Sequence, residues 1–267
     1  MKYGTTGRIA RVDLTRQSHR VEEPEESFYR TYFGGSALAC YYLLKERPAG
    51  VDPLGPDNLL VFASSPLVGS GIPGANRYTV AAISPLTGFY GEGEAGGWWS
   101  PELKRAGFDA VLVEGRAEKP VYLWIHDGQI EIRDAGALWG KGTGETQRRI
   151  ESEVADAKVR VAAIGPAGEN LVRYACVVHA MKHTNGRGGM GAVMGSKNLK
   201  AIAVRGRQPA AFKDTPALQR LIKWYAEHFM DHPIERVLHD GGTIGWDVTE
   251  LDEAGILLEP ALEALLV

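Results

Sequence analysis

The stretch Gly186-Arg-Gly-Gly-Met-Gly-Ala-Val-Met-Gly-Ser-Lys-Asn-Leu-Lys200 contains five glycines among its first ten residues. Glycine adopts positive φ without strain and lets backbone N–H groups approach a ligand, because no Cβ stands in the way. Arg187 stands near the start of the stretch, and Lys197 and Lys200 follow the glycines. Backbone N–H groups flanked by cations typically hold a phosphate or pyrophosphate. The stretch therefore favours a phosphate cradle, with a plain glycine-rich turn between two buried strands as the alternative.

The known nucleotide-binding motifs do not describe this stretch. The order Gly-x4-Gly-Lys-[Ser/Thr] of the Walker loop is absent, and so is the dinucleotide fingerprint with an acidic partner about 20 residues further on. The pattern thus indicates an anionic ligand without indicating a nucleotide.

Composition narrows the class of protein. The chain has 267 residues, 44% hydrophobic and 24% charged, which is typical of a globular protein with a core. A net charge of −3 and the lack of a long basic run give no reason to expect nucleic acid as a partner. The N-terminus is not a signal peptide and no apolar run reaches membrane length, so we expect a cytoplasmic protein.

The cysteines do not form a recognisable metal motif. Cys40 and Cys176 are far apart in apolar runs, which is typical of buried small hydrophobic residues. The sequence contains no CxxC, so we expect no iron–sulfur or zinc site built by this chain alone.

The pattern of elements predicts an internal duplication. Residues 7–22 alternate as in a β-hairpin, and residues 26–45 predict two helical pieces with a close backbone approach at Gly34-Gly35. Residues 59–64 and 77–83 predict two strands that each run into a Ser-Pro-Leu-x-Gly turn. Each half then has a hairpin, a helix, two strands and a glycine-rich loop, and in the first half that loop is predicted at residues 91–97. We expect the two loops to face one ligand.

Three pairs of residues leave alternatives open. His179 and His183 have the i, i+4 spacing of metal ligands, but His179 lies in a strand-like run and is better interpreted as a structural histidine. Glu92 and Glu94 suit acid/base work, although exposed loop glutamates are commoner. Trp98-Trp99 suits either a cavity wall or core packing.

After residue 214 the pattern becomes helical. Asp214-Thr215-Pro216 is typical of a helix start, and a second short helix is predicted near residues 248–254. The apolar face of the first helix consists of Leu218, Leu221, Ile222, Tyr225 and Phe229. Because this helical region stops soon after it begins, we expect a truncated or split larger protein.

Several longer motifs occur in one order along residues 1–210. They include Asn76-Arg-Tyr78, Ser84-Pro-Leu-Thr-Gly-Phe89, Ile164-Gly-Pro-Ala-Gly-Glu-Asn170 and the glycine-rich stretch continued to Ala203. Together they closely resemble the N-terminal domain of the tungsten-containing aldehyde:ferredoxin oxidoreductase family. The resemblance implies an α+β fold of two β-sheets with pseudo-two-fold internal duplication. It also implies a cofactor-binding base domain at 1–210 and the start of a truncated helical domain at 211–267.

The resemblance implies a tungsten bis-pterin cofactor with a magnesium ion that bridges the pterin phosphates. In this family the two pterins chelate the metal through dithiolenes. The positions that match the family's cofactor contacts are Arg77, Glu94, Gly96, His183, Thr184, Gly186 and Arg187. The arginines would hold phosphates or ring edges, because guanidinium is a fixed fork of donors. Glu94 and Thr184 would offer backbone carbonyls to magnesium.

Two of these positions depart from the family's pattern. Glu94 stands where asparagine is common, and a carboxylate is itself a ligand for a hard cation. His183 stands where arginine is common, which would make phosphate binding there weaker and dependent on pH.

The expected function is the cofactor-binding portion of an enzyme that oxidises aldehydes to carboxylic acids and passes electrons to ferredoxin. The [4Fe–4S] cluster and the catalytic residues would belong to missing domains or to a partner chain, so we expect no catalytic residue and no activity from this chain alone. Partners implied by the resemblance are ferredoxin, a cysteine-rich partner chain and a second copy in a homodimer. The alternative is a non-catalytic pterin- or phosphate-binding subunit, or a truncated relic.

Overall fold

A computed structural model describes residues 3–46 and 50–255, with the side chains of residues 243–252 left aside. The chain divides into two compact units, Met1–Lys213 and Asp214–Val267. We describe each unit by itself.

The first half of the first unit forms a six-stranded sheet. Its strands are β1 (Ile9–Asp13), β2 (Ser18–Glu22), β3 (Leu60–Ser64), β4 (Tyr78–Ile83), β5 (Tyr90–Ala95) and β6 (Ala110–Glu114). They lie in the order β2-β1-β6-β3-β4-β5, so β2 and β5 are the edges.

The second half forms another six-stranded sheet. Its strands are β7 (Val121–His126), β8 (Gln129–Asp134), β9 (Arg160–Ala163), β10 (Val177–His179), β11 (His183–Asn185) and β12 (Leu199–Arg205). Their order is β8-β7-β12-β9-β10-β11, and β8 and β11 are the edges.

The two sheets have the same topology. In each one the first strand of the hairpin pairs in parallel with the last strand, β1 with β6 and β7 with β12, and the remaining neighbours are antiparallel. The predicted α+β fold with internal duplication is therefore confirmed, and β5 and β11 occupy equivalent edges.

Helices cover the outer faces of both sheets and fill the space between them. The helices of this unit are α1 (Glu26–Tyr32), α2 (Gly35–Glu46), α3 (Trp99–Arg105), α4 (Thr143–Glu153), α5 (Pro166–Glu169) and α6 (Met190–Ser196). α1 and α2 bury Tyr29 and Leu38 against the first sheet, and α4 buries Ile150 against the second. Between the sheets, α3 and α6 contribute Trp99 and Met194 to one shared core.

Glycine permits the tight join between α1 and α2. A Cβ on Gly34, whose φ is +156°, would lie 2.3 Å from the carbonyl oxygen of Ser64. The close backbone approach predicted at Gly34-Gly35 is confirmed, and it brings α2 against β3 and β4.

Two predicted loops are regular structure. Residues 91–95 of the predicted loop at 91–97 belong to the edge strand β5, which pairs with β4 from Tyr78↔Ala95 to Ile83↔Tyr90. Glycine appears there because a Cβ on Gly91 would lie 2.7 Å from the Cβ of Ser84. The glycine-rich stretch likewise becomes helix α6 from Met190 onward.

The second unit is helical, as predicted from its pattern. α7 (Thr215–His228) is capped at its N-terminus by Asp214, whose Oδ1 accepts from the N–H of Ala217 at 2.8 Å. α8 (Pro233–Glu253) starts earlier than the helix predicted at 248–254 and breaks at Gly242, where φ is 61°. The predicted closing stretch 257–267 lies outside the described residues. None of the described helices combines the length and apolarity that a membrane crossing needs.

Replacing Gly195 by alanine tests the packing of α6 against α5. The added Cβ would lie 2.0 Å from the carbonyl oxygen of Gly168, a backbone atom that no rotamer change can move away. We expect Gly195→Ala to lower the free energy of unfolding by about 3 kcal/mol in urea titrations.

The matched control is Gly142→Ala, since a Cβ on Gly142 meets no atom within 4 Å. We expect it to change the free energy of unfolding by less than about 1 kcal/mol. Equal effects of the two substitutions would contradict the packing described for α6.

Candidate functional site

The edge strands β5 and β11 approach each other at Gly93 and Asn185. The buried Nδ2 of Asn185 donates to the carbonyl oxygen of Gly93 at 2.9 Å. A Cβ on Gly93 would lie 2.9 Å from the carbonyl carbon of Asn185 and 3.2 Å from the amide nitrogen of Arg187. The backbones can therefore meet only because position 93 is glycine, and this contact joins the two sheets edge to edge.

Two cavities open beside this contact, and each has a volume of about 540 Å³. The first cavity is lined by Arg77, Glu92, Gly93, Glu94, Thr184, Gly186 and Arg187. The second is lined by Gly74, Asn76, Arg77, Gly96, Gly97, Trp98, Lys182 and His183. Arg77 belongs to both.

All the cofactor-binding residues predicted from the resemblance lie in these cavities. The first cavity holds Arg77, Glu94, Thr184, Gly186 and Arg187, and the second holds Arg77, Gly96 and His183. The structure thus brings together positions separated by more than one hundred residues in sequence, while their roles stay predictions.

The charged groups of the first cavity are only loosely paired. Nη1 of Arg77 lies 3.9 Å from Oε2 of Glu94, and the two side chains are 64% and 46% exposed. An ion pair this open to solvent contributes little, so both groups remain free to turn toward a ligand. Arg187 is also exposed.

Glu92 is held more firmly than Glu94. The hydroxyl of Tyr90 donates to Oε2 of Glu92 at 2.6 Å, which fixes the carboxylate as an acceptor. Burial and the neighbouring Glu92 raise the pKa of Tyr90 well above its usual range, so the phenol stays protonated. Glu92 is a lining residue that the family resemblance did not supply.

His179 is a buried structural residue behind the second cavity. Its Nε2 accepts from the N–H of Trp98 at 3.2 Å, and its ring stacks on that of His183 with centroids 4.9 Å apart. Burial, followed by the charges of His183 and Arg160, lowers the pKa of His179 to about 4. A neutral His179 therefore supports His183, which reaches the cavity.

The glycine-rich stretch serves two purposes. Gly186 faces the first cavity, and the nearest atom to a Cβ there would be Oγ1 of Thr184 at 3.6 Å. By contrast, a Cβ would lie 1.9 Å from the oxygen of Arg173 at Gly189 and 2.6 Å from the oxygen of Cys176 at Gly191. The start of the stretch can admit a ligand, and the rest allows close packing.

The two lysines of the stretch do not flank the cavities. Nζ of Lys197 donates to the carbonyl oxygens of Pro56 and Gly115 at 3.2 and 3.0 Å. Nζ of Lys200 donates to the oxygen of Ile164 at 2.8 Å and pairs with Glu169. Both side chains are fully buried, so the expectation that they serve a phosphate cradle is wrong. Backbone carbonyls, and for Lys200 also the carboxylate of Glu169, accept from their ammonium groups instead.

Of the two alternatives considered for Trp98 and Trp99, a cavity wall and core packing, each applies to one of the tryptophans. Trp99 is fully buried and its Nε1 donates to the oxygen of Ile202 at 2.9 Å, so it belongs to the core. Trp98 is 59% exposed and lines the second cavity.

Sequence reasoning missed two residues of the site, Lys182 and Asn185. Asn185 lies in the edge strand β11 and Lys182 lies beside it, and a strand of three residues gives almost no periodicity to detect.

The lowered pKa of His179 predicts that the stability of the folded protein depends on pH. Because the folded state lowers the pKa of His179 from 6.5 to about 4, the unfolded chain binds the proton more tightly. Stability conferred by neutral His179 should therefore fall as pH decreases from about 6.5 toward 4. We expect wild type to lose about 2 kcal/mol more than His179→Gln between pH 7 and 4.5, measured by urea unfolding. Equal losses in the two proteins would show that this histidine titrates normally.

Comparison with known proteins identifies the family. A model of the aldehyde ferredoxin oxidoreductase N-terminal domain matches residues 9–206. The tungsten-containing aldehyde ferredoxin oxidoreductase of Pyrococcus furiosus is 47% identical over 232 residues, which cover 87% of this chain and 38% of that protein. An aliphatic sulfonate oxidoreductase, WOR-like subunit, of the same organism is 38% identical and covers 78% of this chain and 35% of that protein.

A solved structure has the same fold. The active-site complex BamBC of benzoyl coenzyme A reductase, in complex with 1,5-dienoyl-CoA, superposes with a TM-score of 0.85 at 37% identity. The match covers 91% of this chain and 37% of that one, and this chain spans about two fifths of the curated relatives' length. With its duplicated sheets and the family match across 9–206, the chain belongs to the aldehyde ferredoxin oxidoreductase family through that family's N-terminal domain.

Proposed function

We propose that residues 1–210 form the base that binds a tungsten bis-pterin cofactor in an oxidoreductase. The parent reaction is the oxidation of an aldehyde to a carboxylic acid, with ferredoxin as electron acceptor. The observation that carries this proposal is the pair of equal cavities that meet at Arg77 beside the contact between β5 and β11. Two cavities of equal volume that share one arginine suit a ligand made of two similar halves.

The residues present fit the anionic parts of such a cofactor. Arg187 lines the first cavity, Lys182 and His183 line the second, and Arg77 serves both. Guanidinium groups match phosphate oxygens as a planar fork. Gly96 has no atom within 4 Å of a Cβ position, so flat pterin rings could approach its backbone closely.

The same site fits a magnesium ion. Glu94 and Thr184 are the proposed ligands through their backbone carbonyls, and they belong to the facing edge strands. The side chain of Glu94 adds a carboxylate to the first cavity, and hard divalent cations prefer oxygen ligands of this kind. A cation there would also draw Glu94 away from Arg77 and leave the arginine to a phosphate.

In this proposal the cofactor supplies the chemistry and this chain supplies the binding site. When bound, the tungsten group supplies the two-electron oxidation of the substrate, and this chain's residues bind and orient it. We assign no catalytic residue to this chain. Its two cysteines are fewer than the four that a [4Fe–4S] cluster normally needs, so the cluster would be held by other sequence or by a partner chain.

A second candidate function is a non-catalytic pterin- or phosphate-binding subunit. It is favoured by the lining of both cavities, whose described residues all lie between Gly74 and Arg187 of the first unit. Binding would then need no other part of the enzyme. Identification of every chain that co-purifies with this one separates the two functions, because a cysteine-rich partner is expected only for the first.

Pyrophosphate with magnesium is a direct probe of the proposed phosphate sites. We expect wild type to bind it in calorimetric titrations, and Arg77→Gln and Arg187→Gln each to weaken binding by about tenfold, because each removes a charge-assisted hydrogen bond. Omitting magnesium should weaken wild-type binding as well.

Arg30→Gln is the matched control, since Arg30 is 70% exposed, pairs with Glu26 on α1, and lines neither cavity. Its affinity should equal that of wild type. Equal weakening by all three arginine substitutions would mean non-specific charge attraction and would contradict the proposal.

A further inference from the structure

A third, smaller cavity lies in the first unit and shares none of its described lining residues with the two larger ones. Its volume is about 190 Å³. The loop at residues 4–8, the end of α3 with Gly107, and the segment 208–211 after β12 surround it. The family resemblance assigned no role to these segments.

A buried lysine forms part of this cavity's wall. The side chain of Lys104 is 3% exposed, and its Nζ donates to the carbonyl oxygen of Gly4. Asp109 is the nearest carboxylate, but its Oδ1 lies 3.9 Å from Nζ, which is too far for a hydrogen bond. An ammonium group has three N–H donors, so Lys104 has donors to spare for a ligand.

Asp109 is committed to the N-terminal loop. Its Oδ2 accepts from the N–H of Thr6 at 2.9 Å, the hydroxyl of Thr6 at 2.9 Å and the N–H of Gly7 at 2.8 Å. The carboxylate therefore compensates the lysine only in part. Burial consequently lowers the pKa of Lys104 to about 8 in spite of the opposing effect of Asp109.

Two further polar side chains converge beside Gly107. Its φ is +97°, and a Cβ there would lie 3.4 Å from Nη1 of Arg8 and 3.8 Å from Oε1 of Gln208. The guanidinium of Arg8 packs over the ring of Phe108 at 4.8 Å. Its ion pair with Glu23 is 3.7 Å long, and Glu23 is 71% exposed, so solvent screens that carboxylate. Arg8 can therefore offer N–H donors to the cavity.

We propose that this cavity binds a small oxyanion of the phosphate or sulfate class, with Lys104 and Arg8 as its donors. Two cations, Lys104 and Arg8, line the cavity. The buried carboxylate near the lysine, that of Asp109, already accepts hydrogen bonds from Thr6 and Gly7. The volume equals the share of about six water molecules in the liquid, which suits a compact anion better than an organic cofactor. The proposal does not rest on cofactor binding at the larger cavities.

The charge of the lysine should control this site. Asp109 is the carboxylate that acts on Lys104, and Arg8 lines the same cavity. The phenol of Tyr29 acts on Asp109 rather than on the lysine, and burial and Asp109 raise the pKa of that phenol far above its usual range. Lys104 is protonated below about pH 8, and only the protonated form attracts an anion. Affinity should therefore decrease as pH rises through 8.

Sulfate is the probe of choice, because it does not titrate between pH 7 and 9.5. The experiment uses the full chain carrying Arg77→Gln and Arg187→Gln, so that the larger cavities contribute little. We expect calorimetry at pH 7 to show one sulfate site in this background, about tenfold weaker after Arg8→Gln and at least fivefold weaker at pH 9.5. The comparison of sulfate affinities relies on Arg8→Gln rather than on Lys104→Met, because the side chain of Arg8 is less buried than that of Lys104.

Arg207→Gln is the control, since Arg207 precedes Gln208, is 76% exposed and pairs with Asp127 outside the cavity. It should leave sulfate affinity unchanged. The proposal is overturned if no sulfate binds in the background, if Arg8→Gln and Arg207→Gln weaken binding equally, or if affinity is the same at pH 7 and 9.5. Such a failure leaves the pyrophosphate result at Arg77 and Arg187 unaffected.

Discussion

The contact between Gly93 and Asn185 fixes how the two sheets meet, and both of the larger cavities open beside it. It joins the free edges of two sheets, and the hydrogen bond from Asn185 Nδ2 to the oxygen of Gly93 satisfies a backbone acceptor where the two backbones meet. Any side chain at position 93 would collide with backbone atoms of the other strand. β5 and β11 are equivalent strands of a duplicated topology, and each of the two larger cavities is lined by residues from both halves of the unit. Both cavities therefore depend on the two sheets meeting at these edges.

Buried charges keep the surrounding frame rigid without taking part in the site. Arg11 is held by Glu22, Glu46 and Glu114 at the hairpin side of the first sheet. Lys200 and its partner Glu169 join the second sheet to α5. Such groups are costly to bury unless they are paired, and removing one partner leaves an uncompensated charge. The exposed arginines at the cavities face no such constraint, which leaves them free to bind a ligand.

Much of the fold follows from local pattern, and the exceptions have physical causes. Alternation and turns correctly predict the hairpin at 7–22, the glycine approach at Gly34 and the duplication. β5 is predicted as a loop because Gly91 and Gly93 are typical loop residues, whereas Gly93 lets the backbone of β11 approach and Gly91 leaves room for the side chain of Ser84. Local sequence does not show that Lys197 and Lys200 point into turns rather than toward a ligand. The cavity residues were predicted by resemblance to a family, and periodicity alone could not have paired Arg77 with Arg187.

Cofactor content is the measurement that tests the central claim most directly. The full chain would be purified anaerobically from tungstate-supplied cells, and pterin and tungsten would be quantified in wild type and in the double variant Arg77→Gln/Arg187→Gln. If the edge contact builds a pterin base, wild type retains pterin and tungsten together, and the folded double variant retains neither. A folded wild type without pterin, or a double variant with the same content as wild type, would contradict the account.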